Sequence, residues 1–206
     1  IRQALEALPA ASIPFSFPGW NPSEFQGCGE TCPVEQVSWY DVVAYANAKS
    51  VAAGLTPCYL LAEIACEDGA NVASPGACMT SVRGGIDVAT VTLNGASSPY
   101  ACTGFRLPTE SEWEYAYRAS GVTAYYTSPG NDGSITQAEC SPVDPNLDQI
   151  GWYCGNDDTT TKPGGGKEAN AWGLYDMSGN VHEWCWDRTD GKYPGGTLDS
   201  PVHDPA

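Results

Sequence analysis

Apolar residues recur at helical spacing in two stretches of this chain, and each stretch opens on a cap. In the first, Val42, Val43, Tyr45 and Ala46 build one apolar side. Ser38 stands at the N-cap with Asp41 after it, the spacing at which side chain and backbone satisfy each other's free N–H groups in a capping box. The helix is predicted to fade over residues 51–54, with Gly54 as the left-handed stop. The second stretch is sharper. Thr109-Glu110-Ser111-Glu112 is a full capping box, Trp113, Ala116 and Tyr117 follow on one side, Arg118 complements the C-terminal dipole, and Gly121 is the expected stop. Phe105-Arg106-Leu107-Pro108 reads as the end of a strand.

Residues 55–104 are polar and glycine-rich. Within them Ile86, Val88, Val91 and Leu93 alternate with polar residues, and Asn94-Gly95 supplies a turn, so the pattern predicts a short hairpin. With Cys58, Cys66, Cys78 and Cys102 the segment reads as a disulfide-held insertion rather than a separate domain. Residues 1–35 and 122–172 read as loop. Lys-Pro-Gly-Gly-Gly-Lys at 162–167 lacks the strand-loop-helix frame and the Lys-Ser/Thr ending of a phosphate loop, which excludes that function. No internal repeat is present. The expected architecture is one α+β domain over residues 1–206, incomplete at both ends, with two helices, short antiparallel strands and little regular structure.

The last patterned run is Gly173-Leu174-Tyr175-Asp176-Met177-Ser178-Gly179-Asn180-Val181-His182-Glu183-Trp184. A hydrophobic strand breaks at Ser-Gly-Asn and restarts with Val181 and Glu183 alternating against His182, Trp184 and Trp186. The turn gathers an amide oxygen, a carboxylate and freed carbonyls, which are hard donors suited to calcium.

Composition narrows the class. Among 206 residues there are 23 glycines and 16 prolines, and only 17% of residues are charged, as in a loop-rich globular protein. An apolar share of 42% with seven tryptophans excludes disorder. The balance of 25 acidic to 9 basic residues, −16 in all, excludes nucleic acid and anionic membranes as partners, because both need clustered cations. Nine cysteines with only two histidines favour disulfides over zinc, and hence an oxidising location: secreted, periplasmic or cell-surface. No apolar run approaches the ~20 residues of a membrane span. The start at Ile1, without Met or a signal peptide, reads as a processed or trimmed product.

Three blocks in order carry a family resemblance. They are Pro33-Val34-Glu35-Gln36-Val37-Ser38-Trp39-Tyr40-Asp41-Val42-Val43-Ala44-Tyr45, then Gly104-Phe105-Arg106-Leu107-Pro108-Thr109-Glu110-Ser111-Glu112-Trp113-Glu114-Tyr115-Ala116, then the Gly-Leu-Tyr-Asp-Met run. Over roughly residues 25–190 the chain resembles the formylglycine-generating enzyme (sulfatase-modifying factor) family. The resemblance implies an atypical C-type-lectin-like fold with structural calcium. It also implies oxidation of a cysteine in a sulfatase-type polypeptide to Cα-formylglycine, using O₂ and a copper ion held by two cysteine thiolates. In the family that pair follows an Arg-Gly-Gly-Ser strand. Here no such strand is found and no cysteine follows Cys185. Copper is therefore expected only with a further C-terminal segment, and no residue of this chain is assigned a catalytic role. The alternative is a non-catalytic module on the same fold that binds another protein or serves structure alone. The related iron-dependent sulfoxide synthases are excluded for lack of histidines.

The family's calcium ligands carry over to the side chains of Asn180 and Glu183 and the carbonyls of Gly179 and Val181. A second calcium loop would span 146–158, offering Asn146, Asn156 and the Asp157-Asp158 pair, though its length departs from the family pattern. His182 replaces the family's usual Trp and by alternation points away from Glu183. Arg106 and Glu112 are expected to pair as a buried brace, and Trp39, Trp113, Trp172 and Trp184 to pack in the core. Glu168-Ala169-Asn170 lacks the proline of a lectin sugar motif and carries no sugar-binding reading. Loop length and position suggest the pairs Cys28–Cys32, Cys66–Cys78, Cys58–Cys102 and Cys140–Cys154 and leave Cys185 over, with the connectivity open.

Overall fold

A computed structural model describes residues 20–126, 135 and 140–187. The first helix, α1 (Trp39–Ala52), starts at the expected box: Asp41 N–H donates to Ser38 Oγ, and Ser38 N–H donates to the Asp41 carboxylate. The box reaches further than its own helix. Asp41 is buried, its other carboxylate oxygen accepts from Ile86 N–H at 2.9 Å, and Ser38 Oγ donates to Ile86 O at 2.7 Å. One cap therefore fixes both the helix start and the first residue of a strand. Burial pushes the Asp41 carboxyl up, against the pull of the Ile86 and Ser38 hydrogen bonds. The helix closes through Gly54, which holds a φ of +69° as expected.

Segment 55–104 differs from the predicted hairpin. Residues 86–93 form one continuous strand, β3 (Ile86–Leu93), whose antiparallel partner is β1 (Tyr59–Cys66); the short β2 (Asn71–Val72) lies on the other side of β1. Strand β1 was missed because it does not alternate throughout. A bulge near Glu63, with φ of 51°, shifts the register between Ala62 and Ala65. The inward set thus passes from Tyr59 and Leu61 to Ile64 and Cys66. The sheet packs on α1 through Ala44, Ile64, Cys66, Cys78, Met79 and Ile86. A second cluster joins Val43, Ala46, Cys58, Tyr59 and Leu107. Asn47 clamps the two layers, accepting from Tyr59 N–H and donating to Tyr59 O.

Helix α2 (Glu110–Arg118) also starts on its predicted box, Thr109 with Glu112. Its end differs: Ala119, not Gly121, takes the left-handed position at φ 45°. A side chain there costs about 1 kcal/mol. The compensation comes from the buried Asn170, whose amide donates to the carbonyls of Ala116 and Tyr117 and whose oxygen accepts from Trp172 and Leu174 N–H. A third, short helix, α3 (Pro145–Ile150), lies in the stretch read as loop. Asp144 caps it and Pro145 occupies its first turn, a start signal visible in the sequence. It leads into β4 (Gly151–Trp152), which pairs in parallel with β5 (Ser178–Gly179).

Three predicted disulfides are present: Cys28–Cys32, Cys66–Cys78 and Cys140–Cys154. The expected Cys58–Cys102 bond is not; both are thiols, as is Cys185. The tryptophans divide as well. Trp39 and Trp113 are half-buried, but Trp172 and Trp184 are 43% and 50% exposed rather than in the core. Three disulfides point to an oxidising compartment. Among the described residues no helix is long and apolar enough to cross a membrane.

Replacing Asp41 with Ala leaves the buried N–H of Ile86 without its acceptor and opens the α1 cap. Urea unfolding is expected to show a loss of about 2–3 kcal/mol. Asp41→Asn, which keeps one acceptor oxygen, should lose less. Equal losses for the two variants would show that the carboxylate acceptors are not what holds β3 to α1.

Candidate functional site

Residues 176–187 cross the molecule from α3 to the starts of both longer helices. Asp176 is buried with a φ of 53° and accepts from Gly165 N–H at 2.7 Å. Gly179 follows at φ +88°, so close to Trp152 that any Cβ there would overlap the Trp152 carbonyl. Only glycine fits this turn. Asn180, also left-handed at φ 68°, donates its N–H to the same carbonyl.

The Asn180 side chain pairs with backbone. Its oxygen accepts from Lys162 N–H at 3.0 Å and its amide donates to Lys162 O at 2.9 Å, imitating a strand bridge between residues 162 and 180. The Gly179 carbonyl accepts from Val181 N–H. Glu183 faces α2, where one carboxylate oxygen accepts from Trp113 Nε1–H at 2.8 Å. His182 is exposed. Asn180 and Glu183 therefore each hold a different neighbour. Each still keeps an oxygen lone pair: among the described residues Asn180 Oδ1 accepts one hydrogen bond and Glu183 Oε1 accepts none. That donor chemistry fits a hard cation completed by water.

The 146–158 loop is organised differently. Asn156 Oδ1 accepts from Tyr153 N–H, and its amide donates to Asp148 at 2.7 Å and to Gly151 O at 3.0 Å. Asn146 donates its N–H to the Asp144 cap. Asp157 accepts from Thr159 N–H, and Asp158 pairs with Lys162 at 3.2 Å. A second cation, Lys167, bonds the side chain and carbonyl of Asp148 with its ammonium and lies 4.0 Å from the Trp152 ring centroid. The Asn156 amide, then Lys167, hold the Asp148 carboxyl below its usual range.

Residues 184–187 dock on the helix starts. Trp184 Nε1–H donates to Val37 O at 3.0 Å, and Trp39 Nε1–H donates to Cys185 O at 2.8 Å. Trp186 N–H donates to Pro108 O, and its ring stacks on Tyr59 with centroids 4.9 Å apart. Asp187 accepts from Glu110 N–H at 2.7 Å, adding a cap to α2. The expected Arg106–Glu112 brace is present as a two-point pair at 2.6 and 2.7 Å. Sequence reasoning missed the roles of Asn170, Asp176 and Lys167; only the special turn positions of Asn and Asp hinted at the first two.

Among the described residues no group of three or more His, Cys, Asp or Glu side chains converges. Three cysteines are free thiols, Cys58, Cys102 and Cys185. Burial and hydrogen bonding to Cys58 push Cys102 up to about 12. Burial and then the carboxylates of Asp187, Glu110 and Glu183 push Cys185 up to about 11. In both thiols burial favours the protonated form, so a thiolate ligand there would form only with loss of that proton to the metal.

Fold and site together define a small α+β domain in which a glycine-asparagine turn and an aromatic tail tie irregular loops to two capped helices. A family model for the sulfatase-modifying factor enzyme 1-like domain matches residues 14–199, and the chain belongs to that family. It is 34% identical over 187 residues to the chaperone protein LppX of Paenibacillus barcinonensis, covering 82% of this chain and 56% of LppX. It is 36% identical over 124 residues to the formylglycine-generating enzyme of Mycobacterium tuberculosis, covering 58% of this chain and 38% of that enzyme. Among solved structures, Treponema denticola variable protein 1 superposes with a TM-score of 0.55 at 30% identity, over 82% of this chain and 56% of that one. The chain thus spans about half or less of the length of these relatives.

The brace gives a pH test. Arg106, then the Thr109 backbone hydrogen bond, outweigh burial and hold the Glu112 carboxyl below its ordinary 4.5. A depressed acid contributes stability that is fully present above the ordinary value and is lost as pH falls through the depressed one. Glu112→Gln is expected to cost about 1–2 kcal/mol at neutral pH. Acid titration of the melting temperature should show that this deficit shrinks below pH 4.5. A deficit independent of pH would mean that charge plays no part in the brace.

Proposed function

We propose that the described residues form the calcium-stabilised recognition scaffold of a secreted, periplasmic or cell-surface domain that receives a cysteine-bearing polypeptide of sulfatase type, rather than an oxidising centre. The observation that carries this reading is the work of the motif side chains: in a domain of this family, Asn180 clasps the Lys162 backbone, Glu183 holds the Trp113 indole, and Trp39 and Trp184 tie the aromatic tail to the start of α1, which builds a scaffold. The names of the relatives, a chaperone protein and a formylglycine-generating enzyme, both fit a surface that receives a polypeptide. An acidic chain of net charge −16 suits the arginine of a Cys-x-Pro-x-Arg segment.

A second reading is supported by the 36% identity to the formylglycine-generating enzyme: a protein-cysteine oxidase whose copper-binding thiolates lie outside the described residues. Calcium belongs to both readings. Asn180, Glu183 and the carbonyls of Gly179 and Val181 would hold it, screening part of the net negative charge and rigidifying the turn between β5 and the aromatic tail. Asn146 and Asn156 would serve a second ion only with Lys167 displaced from Asp148.

Two measurements test this. The full-length gene product is mixed with copper and a Cys-x-Pro-x-Arg peptide, with binding followed by calorimetry and the peptide by mass spectrometry. Binding without aldehyde supports the recognition scaffold, binding with conversion of the thiol to an aldehyde assigns the oxidase, and absence of binding sinks both. Separately, calcium is expected to raise the melting temperature and a chelator to reverse the rise, with the calcium-dependent part abolished in Asn180→Ala. A melting temperature indifferent to calcium would remove the ion from the proposal.

A further inference from the structure

Cys58 and Cys102 lie 44 residues apart in sequence, yet the Cys102 thiol reaches the Cys58 backbone. Cys102 Sγ donates to Cys58 O at 3.8 Å, Cys58 Sγ donates to Gly104 O at 3.5 Å, and Cys102 packs against the cluster that holds Cys58. Backbone holds both positions. Asn94 N–H donates to Cys58 O, and the Asn94 amide donates to Pro57 O. On the other side Gly104 passes so close to the Thr56 carbonyl that a Cβ there would overlap it. Cys58 is buried, whereas Cys102 is half-buried and, with Cys58, lines an open cleft of about 140 Å³ shared with Thr56, Asn94, Gly95 and Thr103. Three other cysteine pairs of the same chain are oxidised, so the surroundings support thiol oxidation.

We propose that Cys58 and Cys102 form a reversible dithiol–disulfide latch, closed by a small disulfide of the glutathione type that enters through this cleft. Cys102 loses its proton, and its sulfur attacks one sulfur of the small disulfide. That S–S bond breaks, and the departing thiolate takes up a proton. Cys58 then loses its proton and attacks Cys102 sulfur, breaking the mixed disulfide and releasing the second small thiol. Two protein thiols are oxidised by two electrons, and one small disulfide is reduced to two thiols.

The latch joins the start of β1 to the run that feeds α2. In that run Phe105 N–H donates to Ser50 Oγ, Leu107 N–H to the Tyr59 hydroxyl, and Arg106 pairs with Glu112. In the dithiol state noncovalent contacts such as these hold the run; in the disulfide state a covalent bond adds to them. Because burial keeps the Cys102 thiol protonated at neutral pH, exchange is slow and accelerates about tenfold per pH unit.

The test equilibrates the full chain in glutathione buffers running from reduced to oxidised. Samples are quenched in acid, alkylated with N-ethylmaleimide in denaturant, digested and weighed. Over an intermediate range the adducts should fall from three (Cys58, Cys102 and Cys185) to one on Cys185, with a linked Cys58–Cys102 peptide appearing while Cys66–Cys78 and Cys140–Cys154 stay bonded. The closed form should melt at a higher temperature than the open one, a difference absent in Cys102→Ser. Continued alkylation of Cys58 and Cys102 in the most oxidising buffer overturns the latch, as does a linked peptide containing Cys185. A Cys58–Cys102 bond that reduced glutathione cannot reopen in the folded chain also overturns it, leaving a permanent fourth disulfide.

Discussion

The structure depends on how residues 183–187 are sewn to the starts of two helices. Regular hydrogen-bond ladders are scarce in this chain, and buried polar groups must be paired by other means. At α1, the indole of Trp184 takes the Val37 carbonyl and the indole of Trp39 takes the Cys185 carbonyl. At α2, Trp186 N–H takes the Pro108 carbonyl, Asp187 takes Glu110 N–H, and Glu183 takes the indole of Trp113. The Trp186 ring then stacks on Tyr59, whose hydroxyl accepts from Leu107 N–H. Five consecutive residues thus connect both caps to the central strand. An isolated capping box is worth about 1 kcal/mol; here each box is also a node of tertiary structure.

Charge is distributed to the same end. With 9 basic residues against 25 acidic ones, the cations are scarce, and several serve the interior. Arg106 braces Glu112 beneath α2, Lys167 joins Asp148 to the Trp152 ring, and Lys49 is buried beside the rings of Tyr45 and Phe105. Burial lowers the Lys49 pKa. The acidic side chains are left to dominate the surface, which disfavours phosphate-bearing partners and keeps the loops solvated.

Much of this was legible in the chain. Both capping boxes, the Arg106–Glu112 pair, three disulfides and the family motifs are local patterns, and local patterns survive folding because their partners are only a few residues away. What was misread has a common cause. Strand β1 hides its period because the bulge at Glu63 flips the inward set part-way along. Gly121 looked like the stop of α2, but Asn170, more than fifty residues away in sequence, caps the last carbonyls and lets Ala119 turn left-handed instead. Trp172 and Trp184 resemble core residues by composition, yet Trp172 stacks edge-on against Tyr115 and Trp184 reaches across the surface to a carbonyl.

Spacing and composition were enough to place the helix starts, the cysteine pairs across short loops, the acidic charge and the family. Each of these rests on spacing or composition, which do not change on folding. What the motif side chains face depends on the folded chain. Asn180 clasps the backbone of Lys162, Glu183 holds the indole of Trp113, and the Cys102 thiol reaches the Cys58 carbonyl. An amide, a carboxylate or a thiol takes whichever partner the fold brings within about 3–4 Å, and these partners come from elements 18 to 70 residues distant.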